Sequence, residues 1–253
     1  AVNYGARTGF TTADPDIRVL FGSTDGLLHA VRSGARATPS GAETWAFMPR
    51  ATMSNLKTLR DDTYSARFPY GIDGAPSVLV IDRGTSTSLP EGGPADGVIN
   101  ASNTNDHAYA FFGLRRGGNQ YYGLDITNPD TPSLMWRIGS DGLYSATAAT
   151  PGLVSGSAAQ FAELALSFGT PMVGRMRFTT TGTTVVTRPV LLFGGGYNGG
   201  VSGTGARLGK DLNSSRNATA AAQVGVDDTR GNALFIVDAV TGELIWKANR
   251  SAT

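Results

Sequence analysis

The sequence predicts an all-β protein, a β-propeller of four-stranded blades with about three blades present. Three observations carry that prediction: a glycine-rich composition poor in charge, a strand phrase that occurs three times, and similar turn residues in the two later copies. The 253 residues include 34 glycines and 12 prolines, and only 16% are charged. Such a mixture suits many short strands joined by turns and argues against helical bundles or coiled coils.

The repeat is the decisive element. Val19-Leu20-Phe21-Gly22 is followed by Asp25-Gly26-Leu27-Leu28-His29-Ala30-Val31 and then Trp45. Ala110-Phe111-Phe112-Gly113 is followed by Tyr121-Tyr122-Gly123-Leu124-Asp125 and then Trp136. Leu191-Leu192-Phe193-Gly194 is followed by Leu234-Phe235-Ile236-Val237-Asp238 and then Trp246. An additional strand precedes two copies, at Gly74 to Val80 and at Gly169 to Val173, each with a proline at its start, where a sheet tolerates one. Residues 1–4 are read as the tail of the matching strand of the first copy.

Each strand's pattern suits a place in a blade. Leu234 to Val237 is apolar on both faces, as in a strand buried between neighbouring sheets. In the last strand Leu134, Trp136 and Ile138 alternate with Met135 and Arg137, which predicts one packed face and one wetter face. Asp238 to Gly242 reads as an Asx-type turn, and Asp125 to Pro129 as its longer equivalent. In the first copy Val31 replaces that aspartate, and the turn from Arg32 to Glu43 is longer.

The blades are placed at about 1–50, 70–138 and 167–250, within one unit covering 1–253. The repeat is roughly twice the ~40–45 residues of a plain propeller blade, and insertions at 83–105 and 197–228 account for the difference. Both insertions are rich in small and polar residues and read as surface loops. Leu56 to Phe68 and Ala158 to Ala165 are short-helix candidates. A closed propeller uses ~4–8 blades. The expectation is therefore a portion of a larger ring, with closure by self-association as the alternative.

Composition excludes several chemistries. There is no cysteine, which removes disulfides, thiolate catalysis and zinc–thiolate sites. Only His29 and His107 are present, too few for a multi-histidine metal site. The net charge of +1 gives no electrostatic reason to expect nucleic acid. No apolar run is long enough to span a bilayer.

The motifs resemble a known family. Asp25 to Ala30 with Trp45-Ala46-Phe47-Met48-Pro49-Arg50, Tyr64, Tyr70-Gly71-Ile72-Asp73-Gly74-Ala75-Pro76, Tyr121 to Pro129, Phe193-Gly194-Gly195-Gly196-Tyr197-Asn198, and Ala233 to Trp246 are similar, in order, to the PilY-type type IV pilus biogenesis and tip-adhesin proteins. The similarity lies in their C-terminal quinoprotein-like β-propeller, and it runs from about Ile17 to Trp246. It implies a non-enzymatic, fimbria-associated domain that supports pilus assembly, twitching motility and surface attachment. The implied partners are pilins, minor pilins and a host or abiotic surface, with no nucleic acid and no membrane insertion. The implied location is the cell surface, pilus tip or outer membrane of a Gram-negative bacterium, reached through the periplasm. Family members bind calcium through an Asp-rich loop. No Asp-x-Asp-x-Asp-Gly run occurs here, so no cofactor is assigned to this chain and calcium is expected, if anywhere, in a longer parent. The alternatives are a fragment of a pyrroloquinoline quinone-dependent dehydrogenase and an envelope assembly scaffold.

No catalytic or cofactor-binding residue is assigned, and metal ligands stay open. Trp45, Trp136 and Trp246 are candidates for stacking a flat cofactor, but their recurrence at one repeat position favours packing between blades. Asp61-Asp62 and Asp227-Asp228 lack the alternating carboxylates of a calcium loop and read as solvated acids. Asp125 and Asp238 are assigned to turns. His29 and His107 have no nucleophile motif beside them and read as structural or surface residues. Arg115-Arg116-Gly117-Gly118 reads as an exposed basic turn. The sequons at Asn100, Asn213 and Asn217 read as polar loop residues.

Overall fold

A computed structural model describes residues 1–35, 38–63, 69–84, 93–179, 185–198, 200–201, 207–208 and 230–249. The described residues are all-β, with three antiparallel sheets of four to six strands in sequence order and two short two-stranded ones. The first contains β1 (Val2–Asn3), β2 (Ile17–Gly22), β3 (Leu28–Arg32) and β4 (Glu43–Phe47), paired in that order. The second contains β5 (Ser77–Ile81), β6 (His107–Gly113), β7 (Tyr121–Asp125) and β8 (Ser133–Gly139), extended by β9 (Gly142–Ser145) and β10 (Gly152–Leu153). The third contains β11 (Met172–Thr179), β12 (Val185–Gly194), β13 (Ala233–Asp238) and β14 (Leu244–Asn249).

Corresponding residues of the repeat occupy corresponding registers. Phe21 lies opposite His29, Phe112 opposite Tyr122 and Phe193 opposite Phe235. Each phenylalanine is the next-to-last residue of the second strand of its sheet, just before a glycine. A β-bulge recurs where the third and fourth strands pair, at Ala30/Val31, Leu134/Trp136 and Ile236/Val237.

The sheets stack face to face through two apolar cores. Leu28 and Ala30 of the first sheet pack with Phe112, Tyr122 and Leu124 of the second. On its other face the second sheet presents Phe111, Tyr121 and Trp136 to Leu191, Phe193 and Phe235 of the third. Being covered on both sides explains why β6 is buried almost throughout its length. The chain crosses from blade to blade along the same end of each sheet. Ile72 donates its amide to the Ser23 carbonyl (2.9 Å), and Ser167 donates its amide to the Gly118 carbonyl (3.1 Å). A Cβ on Gly22 would lie 2.6 Å from the Ile72 carbonyl oxygen, and one on Gly113 2.8 Å from that of Ser167. Those two glycines exist to let the crossing segment touch the strand end.

The structure differs from the sequence expectations in four places. The alternation expected along β8 fails, because the bulge turns Met135 and Trp136 into the same core while Leu134 packs against the other. Strands β9 and β10 were not foreseen; Gly142, at φ +115, makes a turn so tight that it leaves no loop signature. The first helical candidate holds α1 (Leu56–Asp61), preceded by an unforeseen 3-10 turn at Arg50–Asn55, and its part at 64–68 lies outside the described residues. The second shortens to α2 (Ser157–Gln160).

Candidate interaction surface

A turn between third and fourth strands locks each blade to the one before it. The Asp125 carboxylate accepts the Thr127 amide (2.8 Å), and the Asp238 carboxylate accepts those of Val240 (2.9 Å) and Thr241 (3.0 Å), so both aspartates serve Asx turns. These turns offer a backbone carbonyl to the preceding blade. Trp45 donates its indole Nε1–H to Pro129 O at 2.9 Å, and Trp136 donates to Ala239 O at 3.0 Å. Gly242 sits directly on the Trp136 ring at φ +75; a Cβ there would approach the ring to 2.9 Å. Trp136 is 1% exposed, whereas Trp246 at the same register is 47% exposed. The expectation that all three tryptophans pack between blades therefore holds for Trp45 and Trp136 and not for Trp246.

The 83–105 insertion, where it is described, is held by two carboxylates, Asp82, which accepts the amides of Asp96 (3.1 Å) and Gly97 (2.6 Å), and Asp106. Asp106, 3% exposed, accepts the amides of Arg83 and Asn100 (both 2.9 Å) and the side-chain amide of Asn103 (2.9 Å). Asn100 in turn accepts the Ser102 amide, which makes its sequon part of a turn. The insertion reaches the first blade, where Ile99 donates its amide to Asn3 O (2.9 Å) and Asn3 donates its side-chain amide to Gly97 O (2.9 Å). Tyr64, Asn213, Asn217, Asp227 and Asp228 lie outside the described residues, as does most of 197–228.

The basic turn is engaged within the protein. Arg116 binds Asp73 through Nε (2.7 Å) and Nη2 (3.0 Å), with its guanidinium 3.9 Å from the Tyr70 ring centre. That guanidinium holds the Asp73 carboxyl below its usual range. Arg115 takes the left-handed conformation (φ 50) and lies 5.5 Å from the Phe168 ring centre. Asp61 pairs with Lys57 and Arg60, and Asp62 ends α1 in the left-handed conformation. His107 stacks on Tyr109.

Two charged clusters were not read from the sequence. Asp16 is fully buried and accepts hydrogen bonds from Arg18 Nε (2.5 Å), Arg18 Nη2 (2.7 Å) and Arg7 Nη1 (2.7 Å). Arg7 and Arg18 both reach Asp130, just past the second-blade turn, so the cluster ties blade one to blade two. Burial raises the Asp16 carboxyl, but the two guanidiniums outweigh it and hold it below the usual range. The other cluster brackets His29 between Asp25 and Glu43. Arg18 and Asp130 are 112 positions apart, beyond any local pattern.

Among the described residues no group of three or more His, Asp or Glu side chains is placed to hold a metal ion. No described helix is long and apolar enough to cross a membrane. The arrangement suits a rigid stack that presents loops and outer faces.

No protein-family model matches the chain. It is 30% identical over 125 residues to the type IV pilus biogenesis factor PilY1 from two strains of Pseudomonas aeruginosa. The match covers 49% of this chain and 9% of each relative, so the chain spans only a small part of the proteins it resembles. The crystal structure of the Pseudomonas aeruginosa PilY1 C-terminal domain is similar with a TM-score of 0.44 and 21% identity, covering 93% of this chain and 31% of that one. The sequence relationship, carried over half the chain, supports a PilY-type domain.

Proposed function

We propose that the chain is a type IV pilus-associated, non-enzymatic domain that supports pilus biogenesis and surface attachment. The stacked blades act as a rigid scaffold, and the insertions present the recognition surface. The observation that carries this reading is the similarity to curated relatives named as type IV pilus biogenesis factors. The stacked architecture is in keeping with it, since scaffolds that hold variable loops are a common arrangement for binding. Pilins or minor pilins on one side and a host or abiotic surface on the other are the partners this reading names. The location it names is the pilus or outer surface of a Gram-negative cell.

The test is in-frame deletion of the segment encoding residues 1–253 in its own host, with any remaining product followed by immunoblot. The expected result is fewer surface pili, reduced twitching and weaker attachment. Normal pilus number, twitching and attachment after the deletion would contradict the proposal.

A further inference from the structure

Blade one departs from the other two at the repeat position opposite the phenylalanine. The residue opposite the conserved-register phenylalanine is Tyr122 in blade two and Phe235 in blade three, 3% and 0% exposed between sheets. In blade one it is His29, opposite a Phe21 that is 43% exposed on the outer face. The imidazole stacks on Phe21 with ring centres 5.2 Å apart and planes 21° apart. Both of its nitrogens face carboxylates: Nδ1 lies 2.5 Å from Glu43 Oε2 and Nε2 lies 3.0 Å from Asp25 Oδ2.

The two carboxylates come from different elements. Asp25 belongs to the turn between β2 and β3, where its Oδ1 also accepts the Leu27 amide at 2.9 Å. Glu43 opens β4, across the bulged ladder from β3. A neutral imidazole has one N–H and one lone pair, so it serves one carboxylate and repels the other; an imidazolium donates to both. The contacts therefore require the protonated ring. Partial burial works against the charge, but the Glu43 hydrogen bond and the Asp25 charge outweigh it and raise the His29 pKa. The other charged side chains nearby are committed elsewhere. Arg18 binds Asp16 and Asp130, Arg32 faces Asp14, and Asp73 binds Arg116. Arg50, in the 3-10 turn packed on Gly26, makes no hydrogen bond to His29.

We propose that His29 is a proton-operated clamp on the outer face of blade one. Protonated, it ties the Asp25 turn and the β4 edge together over Phe21. Loss of the proton releases one arm, leaves a carboxylate unpaired beside an exposed aromatic ring, and makes the face more negative. The sign follows from the raised pKa: the clamp contributes stability below the unfolded histidine value of about 6.5 and loses it as pH rises through the folded value.

With only two histidines in the chain, imidazole NMR of the intact 253 residues resolves His29 from His107. Glu43→Gln and Asp25→Asn are each expected to lower the His29 midpoint, since each removes a negative charge that favours the imidazolium. In the wild-type protein, exchange of the Leu27 amide, corrected for intrinsic rates, speeds up above the His29 midpoint. His29→Phe restores the aromatic pair of the other blades and is expected to abolish that pH dependence. A His29 midpoint unmoved by both carboxylate variants would overturn the proposal. So would a pH-dependent Leu27 exchange that survives in His29→Phe.

Discussion

The two blade interfaces share one backbone geometry and an apolar core, and differ in the charge beside that core. Between blades two and three the contact is aromatic and apolar: Tyr121 meets Phe193 at 4.3 Å between ring centres, flanked by Phe111 on Trp136 within blade two and Phe193 on Phe235 within blade three. An ion pair, Lys247 with Glu163, lies nearby at 2.9 Å and is partly exposed. Between blades one and two the same Trp-to-turn hydrogen bond is present, but Asp16, Arg18, Arg7 and Asp130 form an ionic tie beside it. A repeat can therefore keep its lock and vary what surrounds it. The two interfaces should respond differently to truncation, acid and salt.

The largest contrast comes from Trp136→Ala, which empties the core of the second interface. It should cost about 3–5 kcal/mol, the range for truncating a buried aromatic. Denaturant unfolding monitored by the two remaining tryptophans measures it, and a loss below about 1 kcal/mol would remove the distinction between buried and exposed tryptophans.

Asp16→Ala should cost about 3 kcal/mol or more, because it leaves Arg18, itself 4% exposed, with only the half-exposed Asp130 as partner. The same substitution should flatten the acid limb of the stability curve. Asp16 is held below its usual pKa in the folded protein. Its contribution is thus complete above the unfolded value of about 3.9 and disappears as pH falls through the folded one. Trp136→Ala should leave that acid limb in place. Equal acid sensitivity in Asp16→Ala and the unmodified protein would break the comparison.

Smaller effects sharpen it. Glu163→Gln, at the partly exposed pair, should cost about 0.2–1 kcal/mol and lose most of that difference in high salt. Trp246→Ala should fall within about 0.5 kcal/mol, since its ring is half exposed.

The sequence made the strands and their repetition legible, because Phe21, Phe112 and Phe193 each precede a glycine and a turn in the same phrase. It also assigned Asp125 and Asp238 correctly to turns, a local interaction spanning two or three residues. What it did not reveal depends on distance or on one inserted residue. The Arg18–Asp130 tie joins residues that only folding brings together. The bulge beside Trp136 moves Met135 to the opposite face from the one a regular strand would give it. The His29 bracket left one readable trace: a histidine where the other copies carry Tyr122 and Phe235.

The central claim is that the repeated tryptophan packs according to what lies over its own face of the stack. Hydrogen exchange at the three indole Nε1–H groups, resolved by NMR of the whole chain, tests this most directly. The account predicts slow exchange at Trp136, an intermediate rate at Trp45 and exchange close to that of a free indole at Trp246. Equal protection of all three, or a Trp136 that exchanges as fast as Trp246, would contradict it.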